Sequence, residues 1–153
     1  MHACGAFLLP GIPVHLRAEK PELLLGHSVG ARLKRRRLEL GLKQVEVAER
    51  LRVSEFTVLG WEVRGREPGD RHYPAIIAFL GNEPWPEPQT LGERLRAERL
   101  RRGLSKREAA RIIGTDEECV RMWETGAWKP TSRTIPKLSG FLGLAISRRP
   151  GVL

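Results

Sequence analysis

Hydrophobic residues in the first half of the chain recur every three or four positions, in short runs separated by polar turns. This spacing predicts a first helix over residues 29–40, ended by Gly41, and a second over residues 43–51 with its apolar side chains on one side. A third helix is predicted over residues 55–62, and Pro74 opens a fourth. Four short amphipathic helices of this kind predict a small all-α unit.

The third predicted helix has a polar start and an apolar inner face. Ser54 lies where its hydroxyl can cap the helix, and Val58 and Trp61, three residues apart, face the same side. Only the three residues 52–54 separate this helix from the one before it. Two short helices joined by such a turn are typical of the helix-turn-helix arrangement.

The same pattern returns 62 residues later in the chain. Residues 28–81 align with residues 90–143 without a gap and share 19 identities in 54 positions. The second set of helices is therefore predicted over residues 91–102, 106–113, 117–124 and 135–142. The predicted organisation is a flexible N-terminal arm (1–27), a first domain (28–81), a proline-rich linker (82–89), a second domain of the same kind (90–143) and a C-terminal tail (144–153).

The segment GHSVG, at residues 26–30, fits the G-x-S-x-G turn that presents a hydrolase serine. Its Ser28 aligns with Thr90, which forms a T-x-x-E capping box with Glu93. The role that a serine and a threonine share at this position is that of a helix N-cap. A hydrolase also needs a strand before the serine and a catalytic histidine after it, and His72 is the only later histidine. We therefore predict no catalytic site.

Charge and cysteine content narrow the class of protein further. Lys and Arg number 27 against 18 Asp and Glu, which gives a net charge of +9 and favours a polyanionic partner. Two cysteines, Cys4 and Cys119, form neither a disulfide framework nor a zinc pair, and His2 and His15 lack the spacing of metal ligands. No stretch approaches the roughly 20 apolar residues of a membrane span. These observations predict a cytoplasmic protein without metal, cofactor or membrane association.

Segments in both copies contain the residues of a known motif. The first copy has LKRRRLELGLKQVEVAERLRVS and WEVRG followed by Pro68, and the second has LRAERLRRGLSKREAARIIGTD and WETG followed by Pro130. They resemble the Cro- and lambda-repressor-like helix-turn-helix regulators, also called the xenobiotic-response-element type. Arg52 and Arg64 stand where that family has turn glycines, which implies mild backbone strain, and Lys106 replaces a glutamine.

The resemblance implies contacts with the phosphates of DNA near the end of each first helix and the start of each second helix. Residues 31–37 carry a charge of +5 and residues 94–107 a charge of +6, although charge runs also occur on merely solvated helix faces. The positions that the resemblance implies are Arg36, Arg37, Gln44, Arg99, Lys106 and Arg107. Five residues elsewhere in the two copies are also predicted to contact phosphates: Ser54, Arg66, Arg71, Lys129 and Arg133.

Base recognition would fall to the exposed face of each third helix, which in this family enters the major groove. The matched positions are Glu55, Phe56, Leu59 and Gly60 in the first copy, and Glu117, Glu118, Arg121 and Met122 in the second. Glutamate accepts from cytosine, phenylalanine packs on the thymine methyl group, and arginine binds guanine. The acidic run of residues 116–118 would repel phosphates, but carboxylates also favour the first turn of any helix.

Two functional hypotheses follow from the sequence. The first is a sequence-specific regulator of transcription, acting as a repressor, whose tandem domains read two non-identical half-sites of double-stranded DNA at the nucleoid. The alternative is DNA binding by the first domain only, while the acidic second domain contacts a protein partner in an anti-activator or antitoxin-like role. Homodimerisation is compatible with both, and neither hypothesis requires an enzyme.

Overall fold

The computed structural model describes residues 28–143, and the predicted N-terminal arm and C-terminal tail lie outside them. This part of the chain contains eight α-helices and no strand. The helices are α1 (Val29–Glu39), α2 (Gln44–Leu51), α3 (Glu55–Glu62), α4 (Tyr73–Leu80), α5 (Leu91–Arg101), α6 (Lys106–Ile113), α7 (Glu117–Glu124) and α8 (Ile135–Phe141). A short 3-10 helix, Asp70–His72, precedes α4. The prediction of an all-α fold is confirmed for these residues.

Helix boundaries agree closely with the periodicity of the sequence. The bounds of α3, α6 and α7 coincide with the predicted ranges, and the other bounds differ by one residue. The 3-10 helix Asp70–His72 was not predicted. It leads directly into α4, so that Pro74 is the second residue of that helix, where a missing N–H group breaks no hydrogen bond within the helix.

Side-chain caps begin the two longest helices. Ser28 Oγ accepts a hydrogen bond from the N–H group of Ala31 at 3.2 Å. Thr90 Oγ1 accepts one from the N–H group of Glu93 at 3.2 Å, and the Glu93 carboxylate accepts from the N–H group of Thr90 at 3.1 Å. The predicted N-cap role of Ser28 and Thr90 is therefore confirmed.

Two hydrophobic clusters hold the eight helices together. Helices α1 to α4 surround Leu33, Val47, Ala48, Leu51, Val58, Trp61, Ile76 and Leu80. Helices α5 to α8 surround Leu95, Ala109, Ala110, Ile113, Val120, Trp123, Leu138 and Phe141. Burial of each large apolar side chain stabilises the fold by about 1.5–3 kcal/mol. We refer to α1–α4 as the first unit and to α5–α8 as the second unit.

A glycine allows the first and third helices of each unit to touch. A Cβ atom on Gly30 would lie 1.9 Å from the carbonyl oxygen of Trp61, and one on Gly92 would lie 2.2 Å from that of Trp123. No side chain fits at such distances, so only glycine permits this approach. The identities Gly30/Gly92 and Trp61/Trp123 therefore reflect a shared packing requirement.

Backbone strain occurs at only one of the two arginines that stand in glycine positions. Arg52 ends α2 in the left-handed conformation, with φ 55° and ψ 46°, where the second unit has Gly114 with φ 75°. The expectation of strain at Arg52 is confirmed. The expectation for Arg64 is wrong, because the neighbouring Gly65, with φ 64°, takes the left-handed conformation instead.

Candidate nucleic-acid interface

In each unit a short turn joins two helices whose inner faces meet in the core. The α2–α3 pair and the α6–α7 pair pack closely, and α7 also lies against α5. Val120 and Trp123 are buried on the inner side of α7, as Val58 and Trp61 are on α3. The opposite sides of α3 and α7 remain accessible to a partner, and we call them the reading faces.

The reading face of α3 includes three of its four predicted residues. Glu55 and Phe56 are exposed, Phe56 to 57%, and Leu59 is half-buried. Gly60 is buried, and a Cβ atom there would lie 3.2 Å from Cδ of Arg66. Gly60 thus lies against the aliphatic part of Arg66, and Glu55, Phe56 and Leu59 remain the accessible candidates on this face.

A cation–π contact at this face was missed by sequence reasoning. The guanidinium group of Arg64 lies 4.6 Å from the centre of the Phe56 ring. The signal in the sequence is Arg64 itself, which stands where the resembled family has a glycine and is eight residues from Phe56. This stacking favours one position of an exposed aromatic ring and adds a cation beside it.

The reading face of α7 has a different chemistry. Glu117, Glu118 and Arg121 are exposed and Met122 is half-buried. Arg121 Nε donates to Glu118 Oε2 at 2.8 Å, and this hydrogen bond lowers the pKa of Glu118. Asp116 occupies the N-cap position of α7, but its side chain makes no capping hydrogen bond. Capping by hydrogen bonding therefore does not account for the first of the three acidic residues.

Two arginines predicted to contact phosphates instead hold the ends of the reading helices. Arg37 Nε donates to Glu62 Oε1 at 2.9 Å, and Arg99 Nε donates to Glu124 Oε1 at 2.6 Å. Each guanidinium also donates to a backbone carbonyl that follows α1 or α5. The hydrogen bond to Glu62 raises the pKa of Arg37. Because Arg99 is only 2% exposed and both cations are paired with carboxylates inside the protein, we propose a structural role for these two residues.

Three further predicted phosphate contacts already have partners within the protein. Gln44 Nε2 donates to Glu62 Oε2 at 2.9 Å, beside Arg37. Ser54 Oγ accepts from an N–H group in the first turn of α3, as its predicted capping role requires. Arg36 forms an ion pair with Glu39 at 3.5 Å, while its buried Nε atom has no hydrogen-bond partner.

The remaining predicted cations lie at the surface. Arg66, Arg71, Arg107, Lys129 and Arg133 are exposed, and Lys106 is half-buried at the start of α6. Arg71 donates to the ring of His72, at 3.2 Å, and the other five have no ion pair among residues 28–143. These side chains can neutralise an external polyanion without first breaking an internal salt bridge.

Three further features bear on what residues 28–143 can bind: metal ligands, membrane-spanning helices and free thiols. Between residues 28 and 143 no group of three or more His, Cys, Asp or Glu residues is arranged to hold a metal ion. None of the eight helices is long and apolar enough to cross a membrane. Cys119 is a half-buried free thiol, and Cys4, His2 and His15 lie outside the described residues.

Comparison with known proteins adds one finding. A protein-family profile described as a helix-turn-helix domain matches residues 90–150, a range that contains α5 to α8. Neither the curated proteins nor the solved structures include a match to this chain. The chain therefore contains a helix-turn-helix domain, the kind of domain that binds duplex DNA in many regulators.

Proposed function

We propose that the protein is a sequence-specific regulator of transcription, acting as a repressor, that binds double-stranded DNA with both of its units. The match of the helix-turn-helix profile to residues 90–150 carries this proposal, because α5–α8 lie within that range. The net charge of +9 supports a nucleic-acid partner. No residue of the proposed interface needs a cofactor or performs a chemical step.

The equivalence of the two units supports the extension to the first. Both begin with a capped helix, both bring a glycine against a tryptophan carbonyl, and both hold the last residue of the reading helix with an internal arginine. These features depend on the same relative placement of three helices. A first unit that shares them presents α3 as the second presents α7.

The proposed phosphate contacts exclude the two structural arginines. We assign this role to Arg36, Ser54, Arg66 and Arg71 in the first unit and to Lys106, Arg107, Lys129 and Arg133 in the second. Arg36, Ser54 and Gln44 have weaker claims than the other residues, since each already has a partner within the protein. Positively charged side chains at these positions would set the register of the protein on DNA without reading its sequence.

Base recognition is assigned to the two reading faces. In the first unit Glu55, Phe56 and Leu59 would contact base edges, with Phe56 suited to a thymine methyl group. In the second unit the candidates are Glu117, Glu118, Arg121 and Met122. Because Glu118 and Arg121 are hydrogen-bonded to each other, they would act together, each arranging the other for its base. The two faces therefore favour non-identical half-sites.

One observation favours a second candidate function. The exposed acidic residues 116–118 lie at the start of α7. Arg121, the one arginine of this helix, is paired with Glu118. Such a surface suits a basic protein partner better than a phosphate backbone. In this alternative the first unit alone binds DNA, and the second unit contacts an activator, a polymerase subunit or a toxin.

Salt-dependent binding of the full chain to selected duplexes tests the proposal. Arg107→Gln should weaken binding to all sequences and reduce the slope of log affinity against log salt by about one. Arg94→Gln is the matched control: Arg94 is an equally exposed arginine near the start of α5, away from the proposed contacts, and its loss should leave the slope unchanged. Affinity that does not respond to salt would contradict DNA binding.

A pair of double variants separates the two candidate functions. Lys106→Gln with Arg107→Gln removes charge from the second unit, and Arg66→Gln with Arg71→Gln removes it from the first. If both units bind DNA, both doubles lose affinity and shorten a footprint of roughly two helical turns. If only the first-unit double loses affinity, the protein-contact function is the better account.

A further inference from the structure

The outer side of α5 is covered by the first unit, whereas the equivalent side of α1 is not. Leu100 is 3% exposed, but Leu38, which aligns with it, is 60% exposed. Ala97 is buried where the first unit has the exposed Arg35. Helix α4 packs against α5, and its Tyr73 lines one cavity together with Ala97 and Leu100. The aligned leucines are identical, but only the one in the second unit is covered, on a helix side where alanine replaces an exposed arginine.

The linker is part of the same contact. The ring of Trp85 lies 5.8 Å from that of Tyr73, centre to centre, and Pro84 is buried. Glu83 forms an ion pair with Arg101 on α5, and this hydrogen-bonded contact raises the pKa of Arg101. The linker therefore lies against both units over much of its length rather than spanning a gap between them.

Packing at the end of α5 is equally close. Pro74, near the start of α4, approaches Gly103, where an added Cβ atom would lie 3.0 Å from Cγ of the proline. Tyr73 is buried beside it, and this burial raises the pKa of its hydroxyl group. A side chain larger than glycine at position 103 would push the two helices apart.

An arginine bridge joins the two units at the reading helix itself. Arg99 donates to Glu124 at 2.6 Å and to Asp70 at 2.9 Å. Glu124 is the last residue of α7, and Asp70 belongs to the 3-10 helix that connects α3 to α4. Burial lowers the pKa of Arg99, but its hydrogen bond to Glu124 and the two carboxylate charges outweigh this and raise it. One buried cation is thus shared between the units.

The first unit has no equivalent of this bridge. Its Arg37 pairs with Glu62, and Gln44 of the same unit also donates to Glu62. In the second unit Lys106 stands in place of that glutamine, and Asp70 from the other unit supplies the additional partner instead. The bridge is therefore a property of the contact between units and not of the repeated fold.

We propose that the Asp70–Arg99–Glu124 bridge and the α4–α5 contact hold α7 at a fixed orientation to α3, so that the chain recognises only duplexes whose two half-sites have one separation. This inference rests on the proposed function. Asp70 is a positioning residue in it, since it acts through Arg99 and touches no DNA. An eight-residue tether that was free could span up to about 28 Å and would tolerate many separations.

The fixed orientation is tested first without DNA. Spin labels are attached at Phe56→Cys and Glu118→Cys, and Cys4→Ser and Cys119→Ala remove the two native thiols. Pulsed electron paramagnetic resonance then measures the distance between the reading faces. We expect one narrow distance distribution, and a distribution at least about twice as wide after Asp70→Asn. Glu87→Gln, an equal loss of charge at an exposed linker residue, should keep the narrow distribution. The inference is overturned if the distribution is already broad in the protein that retains Asp70. It is also overturned if Asp70→Asn does not broaden the distribution.

The fixed separation is tested on duplexes that differ in the spacing between two selected half-sites. Inserting about five base pairs turns one half-site to the opposite side of the duplex, and affinity should fall roughly tenfold or more. Asp70→Asn should reduce this preference about fivefold, whereas Asp70→Glu, which retains the carboxylate, should restore it. A thermal melt of each variant separates a general loss of stability from a change in spacing preference.

The outcomes distinguish this inference from the proposed function. Duplex binding that is equally tight at all spacings overturns the inference and leaves DNA binding standing. Failure to bind any duplex overturns the proposed function and, with it, the fixed half-site separation, even where the distance distribution is narrow. Binding with a strong spacing preference that Asp70→Asn leaves intact shows that the bridge does not set the separation and also overturns the inference.

Discussion

Helices α1 and α5 align residue by residue, yet they lie in different environments. Each buries one inward leucine, Leu33 or Leu95, and each carries an arginine that pairs with the end of a reading helix. Only α5 is also packed on its outer side, where Leu100 is covered and Leu38 is not. Because the two leucines are identical, their different burial depends on the residues around them, such as the buried Ala97 in place of the exposed Arg35.

The reading helices differ in a similar way. On α3 the accessible side has an aromatic ring stacked under Arg64, whereas on α7 it has the hydrogen-bonded pair of Glu118 and Arg121. Both helices keep a valine and a tryptophan on the inner side. The same scaffold thus presents two chemistries, which is the basis for proposing two non-identical binding partners or half-sites.

The largest effect should come from a feature that the units share. Gly30→Ala and Gly92→Ala place a methyl group against a tryptophan carbonyl, and each should lower the free energy of unfolding by about 4 kcal/mol or more. Chemical denaturation measures it. Gly140→Ala is the control, because nothing lies within 4 Å of its Cβ position, and it should be neutral or stabilising. Tolerance of Ala at Gly30 alone would show that the two units pack differently.

The next effect separates the two outer faces. Leu100→Ala should lower the free energy of unfolding by about 2–3 kcal/mol, because it leaves a cavity under α4. Leu38→Ala, the equivalent change on the exposed side of α1, should cost less than about 0.5 kcal/mol. Thermal and chemical unfolding of the two variants compare them directly. Equal losses would mean that α4 does not cover α5 in solution.

Exchanging one residue between the units should alter DNA binding moderately. Lys106→Gln gives the second unit the amide that Gln44 supplies in the first. The new amide should donate to Glu124, and the proposed contact of Lys106 with a phosphate is lost. We expect affinity to fall about threefold to tenfold and the salt slope to decrease by about one. The reciprocal change, Gln44→Lys, should increase the slope. If both variants keep the original slope, neither position contacts the backbone.

The smallest expected effect concerns the turn before each reading helix. Arg52→Gly should raise the free energy of unfolding by roughly 0.5 kcal/mol, because relief of the left-handed strain exceeds the added entropy of the unfolded chain. Gly114→Arg should lower it by about 1 kcal/mol. Urea denaturation with matched baselines resolves the difference. Destabilisation by Arg52→Gly would indicate that the arginine side chain makes a contact that outweighs the strain.

Much of the fold was accessible from the sequence, because its signals are local. The caps at Ser28 and Thr90, the helix bounds and the inward tryptophans all follow from spacings of three or four residues. The gapless repeat independently indicates that each unit has the same elements. The prediction of strain at Arg64 is wrong, because the left-handed backbone conformation lies one residue later, at Gly65.

The candidate site was less predictable than the fold. Exposure of Glu55, Phe56, Glu118 and Arg121 followed from the inward positions of their neighbours on each helix. The roles of the basic residues did not, because a run of arginines looks the same whether its members face solvent or a buried carboxylate. Arg36 and Arg37 are adjacent in the chain, yet only Arg37 is held by a carboxylate 25 positions away.

The sequence by itself determined two sets of four helices, their caps and their inward faces. Those features depend on hydrogen bonds and periodicity within one element, or on a motif repeated intact. Only the tertiary structure decided that Arg99 is buried between Glu124 and Asp70 and that Leu100 is buried while Leu38 is exposed. Such contacts arise where elements distant in the chain meet, and residue type and spacing do not specify which partner a side chain will find across that distance.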